Sequence, residues 1–325
     1  MRGRPLATGS LAVILAASGF GLLGVLSRFS YDAGLDPVSF VAWRALFGLV
    51  VIAVVVAIRL RRGVAIVDLR RLPARDALGL FAVALAGLGL NVAMFVAFDL
   101  AAIAVVLLAF YTYPALVAAV EISRGHERLD AVASAALLLA LAGMVLVVGG
   151  GLSSDPATSV HPLGIALGLA GGVCQTAFVI LSRGRYRSVP PEQATGWIIL
   201  VIAIASAAAS LVAGGALGVP LGSGRALVLV AVAGVISAGI PTMLFLVGIR
   251  AIGGTRAGIL MLIEPVVGVT LAALVLGEAL RPLQAVGGGA ILIAASLLQR
   301  ARPGAPAGVP LEALEPAAVP ASEGT

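Results

Sequence analysis

The sequence predicts an all-α polytopic membrane protein, with ten transmembrane helices arranged as two inverted five-helix repeats. Three observations predict it. Hydrophobic residues make up 61% of the chain and charged residues 11%, against roughly 25% charged in a soluble domain, so only a bilayer can act as solvent for that much apolar surface. Ten apolar segments approach the roughly 20 residues needed to cross the hydrocarbon. Two matched landmarks also recur 151 residues apart: Pro114 precedes Glu127 as Pro265 precedes Glu278, and a leucine follows each glutamate by two, at Leu129 and Leu280.

The first span, 9–30, follows Arg2 and Arg4 and superficially resembles a signal peptide. Its run from Leu11 to Leu26 lacks a clear small-x-small cleavage site and many spans follow it, so it reads as a retained span. The second, 37–58, opens after Asp36-Pro37. The third to fifth cover 77–98, 101–122 and 130–150. The sixth, 163–183, opens after His161-Pro162, and the seventh, 194–215, after Pro190-Pro191. The eighth and ninth cover 226–248 and 256–276. The tenth, 282–299, opens after Arg281-Pro282. Proline dipeptides of this kind punctuate loops because they cannot continue a helix. The expected organisation is a cytoplasmic N-terminus (1–8), a first repeat (9–150), an outer linker (151–162), a second repeat (163–300) and a tail (301–325). The tail has no apolar period and is rich in proline, glutamate and small residues, the composition of a disordered cytoplasmic segment.

Arginine placement orients the spans. All 21 basic residues are arginine. With the N-terminus inside, Arg28, Arg225 and Arg281 fall in outer loops, Arg44 falls inside a span, and the other 17 fall on the inner side. Cationic loops are retained in the cytoplasm, so both termini are expected there. Losing one span would swap the sides of every later loop and spoil the asymmetry. The pI near 10.6 therefore reports topology and not nucleic-acid binding.

Further matches support the repeat. Ser27-Arg28 ends the first span and Ser182-Arg183 the sixth, and Gly9 and Gly164 begin those spans at the same offset of 155. Five spans per half is odd, so the second half enters the membrane from the opposite side. Two such halves surround a pseudo-two-fold axis in the membrane plane, and rocking between their two arrangements opens one central site to alternate sides.

These landmarks carry a family resemblance. Ala109-Phe110-Tyr111-Thr112-Tyr113-Pro114-Ala115-Leu116-Val117 with Glu127-Arg128-Leu129 resembles the fourth-to-fifth-span signature of EamA-type transporters. Glu264-Pro265-Val266-Val267 with Gly277-Glu278-Ala279-Leu280 resembles its second copy. One departure is His126, inserted between Gly125 and Glu127 where the second copy reads Gly-Glu. The resemblance covers about 9–300. It implies the drug/metabolite transporter superfamily, a multi-pass place in a bacterial inner membrane, and export of amino acids or other metabolites. It is nearly silent on substrate.

Within the spans, chemistry-bearing residues are few. Arg44, after Trp43 in the second span, costs at least about 2.5–3.5 kcal/mol to insert at that depth, so it should face protein or water. It reads either as a fixed charge for a solute carboxylate or pathway acid, or as a structural arginine on backbone carbonyls. Glu264 lies beside Pro265, which removes a helical hydrogen bond. An intramembrane carboxyl can carry a proton, which suits proton coupling; the bland alternative is a tie to Arg44 or to backbone. Tyr113 occupies the matching position in the first half, so the pseudo-symmetry is chemically broken there. Tyr111 and Tyr113 sit too deep for an interfacial belt, and cavity lining and core packing both fit. Asn91 and Thr242 are counterparts at the 151 offset, suited to hydrogen-bonding a solute or a neighbouring helix. Gln175 and Trp197 form a weaker set. Pro114 and Pro265 shape their helices. Glu127 and Glu278 each open the last helix of a repeat, where a carboxylate favours the positive dipole, so a structural role is expected.

No cofactor is expected. Cys174 is the single cysteine and reads as a small apolar residue. His126 and His161 fall in loops without ligand-like neighbours, so no metal site is expected. Nucleotide-binding motifs are absent, which argues against an ATP-driven pump. An intramembrane enzyme would need a nucleophile–base pair or metal cluster that the sequence lacks. The expected partners are the lipid bilayer and a small-molecule solute. The reading is a secondary active transporter working by alternating access, with proton coupling as an option. A channel or a non-transporting membrane partner is the alternative, and oligomeric state is not indicated.

Overall fold

The computed structural model describes residues 3–63, 66–101, 103–125, 130–150, 161–276 and 281–300. Among them there is no strand. Nine helices are long and apolar enough to cross a membrane: α1 (Leu6–Asp32), α2 (Pro37–Arg61), α3 (Ala74–Ala97), α4 (Val105–Ser123), α5 (Ala131–Gly150), α6 (Pro162–Gly184), α7 (Pro191–Val212), α8 (Gly224–Ile252) and α9 (Gly254–Val275). A shorter apolar helix, α10 (Pro282–Leu298), brings the total to ten. Large apolar side chains face outward, with Leu138 68% and Leu274 77% exposed. Exposure of that kind suits lipid and not water. Glu127, Glu278, the tail 301–325 and residues 151–160 of the expected linker lie outside the described residues.

The expected spans match these helices closely at their ends. They differ in continuity, because four of the helices are interrupted. In α4 the break is at Tyr111 and Thr112, just ahead of Pro114, which has no N–H for the Phe110 carbonyl. In α9 it is at Leu262, just ahead of Pro265. In α8 the turn Val235–Gly239 widens into a π-helix ahead of Pro241. In α1 it is at Leu22, between Gly21 and Gly24. Each break lies inside a single long span of high average hydropathy, so hydropathy alone reads them as continuous.

The helix packing is organised across the halves. The main contacts pair α1 with α8, α3 with α6, α2 with α7 and α5 with α10. Exchanging each helix with the one five places on maps this set onto itself: α1–α8 becomes α6–α3, while α2–α7 and α5–α10 map onto themselves. The secondary contacts obey the same rule, since α4–α6 is matched by α9–α1 and α3–α7 by α8–α2. The expected inverted repeat is therefore visible in the contacts themselves.

Two crossings depend on glycine. A Cβ on Gly239 would sit 2.6 Å from the Gly48 carbonyl oxygen, so α2 and α8 touch backbone to backbone. A Cβ on Gly143 would sit 2.7 Å from the Gly287 carbonyl oxygen, and α5 and α10 meet in the same way. Small residues allow such approaches where lipid offers no hydrophobic force between helices.

The two ends of the bundle differ chemically. One collects the arginine-rich turns, and polar ties there join different helices. Arg59 pairs with Glu192 at 2.9 Å, joining α2 to α7. Arg183 pairs with the fully buried Glu121, joining α6 to α4. Arg250 donates to the Val189 carbonyl at 2.7 Å and stacks over the Tyr186 ring at 5.3 Å. Tyr186 is fully buried, has φ 39°, and bonds Ser182 at 2.7 Å. Burial pushes its phenol up to about 12, and its bonds to Ser182 and Arg250 offset part of that rise. At the opposite end, Asp36 caps α2 by accepting from the backbone of Val38 and Ser39 at 3.0 Å, and from Ala216 beyond α7 at 2.6 Å. Ser39 and Ser210 approach to 2.7 Å, tying α2 to α7 at that end too. Burial alone would raise the Asp36 carboxyl, but the bonds from Ser39, Ala216 and Val38 outweigh it and hold the group below its ordinary value.

Candidate functional site: two polar clusters in the bundle

The first cluster forms where α2 crosses the widened turn of α8. Pro241 has no N–H to give the Ser237 carbonyl four residues back. Arg44 supplies the missing donor, with Nη1 to that carbonyl at 2.7 Å. Its Nη2 donates to Asn91 Oδ1 on α3, also at 2.7 Å. Asn91 donates in turn to the Gly87 carbonyl at 2.7 Å, and Ser237 Oγ donates to the Gly19 carbonyl on α1 at 2.7 Å. Arg44 is 6% exposed, and its Nε has no hydrogen-bond partner. The guanidinium thus ties α2 to α3 and α8, and the Ser237 hydroxyl ties α8 to α1. The backbone contacts of Gly48, Gly234 and Gly239 bring α2 close enough for the reach.

The second cluster forms where α4 and α9 are both broken. The Tyr111 hydroxyl lies beside the Glu264 carboxyl. The Tyr113 hydroxyl faces Glu264 and Gln175 of α6 but closes no hydrogen bond. Both tyrosines are 1% exposed, whereas Glu264 is half-buried. Phe110 lies 5.2 Å from each tyrosine ring, and the tyrosine rings lie 6.5 Å apart. A Cβ on Gly172 of α6 would sit 2.9 Å from the Phe110 carbonyl oxygen, so α6 packs directly on the carbonyl that Pro114 leaves without its usual donor. On the other side, Gly21 of α1 packs against the Glu264 backbone. The neighbours of α4 and α9 are thereby related by the repeat, while Glu264 and Tyr113 differ in chemistry.

The sequence candidates therefore separate. Tyr111, Tyr113, Gln175 and Glu264 come together, and Arg44 joins Asn91. Arg44 and Glu264 make no ion pair. Trp43 donates its indole N–H to the Leu217 carbonyl at 3.0 Å and stacks on Phe47 at 6.1 Å, which ties it to the segment after α7. Trp197 is half-buried and packed against the core. Thr242 is half-buried and makes no side-chain hydrogen bond among the described residues. Among those residues no group of three or more His, Cys, Asp or Glu is placed to hold a metal.

Some positions escaped the sequence. Ser237 contributes a backbone carbonyl, so its side chain gives no hint, although Pro241 four residues on marks the spot. Glu121 and Arg183 look like ordinary helix-end charges until the fold pairs them. Tyr186 stands 155 residues after Tyr31, in register with the Ser-Arg matches, and that signal was available.

The family profile described as the EamA-like transporter family matches residues 7–149 and again 162–300. A solved crystal structure is similar over 90% of this chain and 96% of its own, at 23% identity and a TM-score of 0.73. At that identity the likeness bears on the fold alone. No curated protein matches the chain.

Proposed function

The chain belongs to the EamA-like transporter family, and from that premise we propose that it is a secondary active exporter of amino acids or related small metabolites, working by alternating access with a proton as the coupling ion. The observation that carries the reading is Glu264, a half-buried carboxyl just past the break of α9 and beside Tyr111 in the break of α4, two broken helices that the repeat relates. Broken helices at mid-membrane supply the irregular, polar backbone from which transporter sites are built. Glu264 is the one carboxyl of that cluster and can hold either a proton or a solute. The two repeats, 9–150 and 163–300, rock about α2–α7, which is tied at both ends. The arginine-rich end faces the cytoplasm of a bacterial cell, and both termini lie there. Arg44 serves as the pin for the α8 turn.

The purified protein in liposomes, given labelled amino acids under an imposed pH gradient, tests this. Solute flux should follow the gradient, and Glu264→Gln should abolish gradient-driven flux while leaving the protein folded. Flux in Glu264→Gln that still tracks the pH gradient would remove Glu264 from the coupling role.

A further inference from the structure

Resting on the transporter reading above, we propose that the cluster of Glu264, Tyr113, Gln175 and the Phe110–Tyr111–Tyr113 rings recognises the cationic amine end of the solute, and that the solute's carboxylate is dispensable for binding.

Charge is the first argument. Glu264 is half-buried among apolar residues, and among the described residues no cationic side chain pairs with it. Arg44, buried within α2, has both terminal nitrogens committed to Ser237 and Asn91. An anion brought to Glu264 would be repelled in a medium of low dielectric constant, whereas a cation would be attracted strongly.

Hydrogen-bond capacity is the second. A carboxylate offers about four lone-pair sites, and among the described residues no side-chain hydrogen bond to Glu264 fills them. The Tyr113 oxygen is buried and lacks a hydrogen bond, with Gln175 alongside. A primary ammonium carries three donors and no acceptor. It complements this carboxylate, phenol and amide, and would satisfy the buried hydroxyl that the protein leaves open.

The rings are the third. Three aromatic side chains lie with centroids 5.2, 5.2 and 6.5 Å apart beside the carboxyl. A cation within about 6 Å of such a ring centroid gains from its quadrupole, most when desolvated. Phe110 has no polar atom to offer a carboxylate, but its ring can serve a cation.

The experiment uses the full chain in liposomes and three forms of each amino acid in a panel: the free amino acid, its amide (an amine without a carboxylate) and its N-acetyl derivative (a carboxylate without an amine). Exchange of the amino acid and the amide, with none of the N-acetyl form, supports the proposal. Exchange of the N-acetyl form as fast as the amide overturns it and leaves the transporter reading standing. No exchange of any form by folded protein overturns both. Tyr113→Phe keeps the ring and loses the hydroxyl, so it should raise the apparent KM for the amide about tenfold, the worth of one hydrogen bond to a charged group. Glu264→Asp should retain amide exchange that Glu264→Gln loses. An unchanged KM in Tyr113→Phe, or normal amide exchange in Glu264→Gln, overturns the proposal.

Discussion

A buried guanidinium needs partners, and at Arg44 they are a proline-orphaned carbonyl and an amide oxygen, each at 2.7 Å. Hydrogen bonds to a charged group contribute about 1.5–3 kcal/mol each, enough to offset an insertion cost of about 2.5–3.5 kcal/mol. Arg44→Met should therefore lower the melting temperature in detergent by several degrees, with exchange per folded molecule kept. An unchanged melting temperature with lost exchange would put Arg44 in the solute path. Asp36 gives a pH test. Its folded carboxyl is held below the ordinary value, so its contribution is present above about pH 4 and is lost as pH falls through the lower folded value. The stability gap between wild type and Asp36→Asn should persist at neutral pH and close only below about pH 4. At this scale the sequence exposes Arg44 and Glu264 because each is a lone charge in an apolar run. It hides their partners, because a backbone carbonyl and a tyrosine on another helix come into reach only through the fold.

The helices owe their useful irregularities to prolines and their close crossings to glycines. Pro114, Pro241 and Pro265 each stand just beyond a break or a widened turn, with Tyr111 in one break and Glu264 in the first turn after another. A side chain at Gly239 would meet the backbone of α2, and strain of this kind costs about 1–3 kcal/mol or more. Gly239→Val should therefore reduce folded yield and melting temperature. Gly289, which faces open space within 4 Å, should accept alanine without loss. Equal stability of the two variants would contradict the α2–α8 crossing. The spans themselves were legible because twenty apolar residues bounded by proline and arginine leave little choice. The breaks were not, since Leu262 and Tyr111 each lie inside a single long span of high average hydropathy.

Across the whole molecule, the exchange of α1–α5 with α6–α10 maps the contacts onto themselves, and the polar ties at each end join helices from both halves. In the proposed orientation the arginine-rich end faces the cytoplasm, as cationic loops do. Cysteines introduced at Arg62 and at Ala213, with Cys174 replaced by serine, should label from opposite sides in intact cells, Ala213→Cys from outside. Labelling of both from one side would break the ten-span topology. The repeat was legible from a few matched residues because both copies place proline and glutamate at the same helical positions. Which helices touch was not, because lipid-facing and protein-facing residues are equally apolar here.

Counterflow tests the carrier account most directly. Vesicles holding the protein and preloaded with an unlabelled solute are diluted into a trace of the same solute labelled. A site open to one side at a time predicts a transient accumulation of label above its equilibrium level, dependent on the preload and saturable. Simple equilibration of label without that overshoot would contradict alternating access and favour a channel.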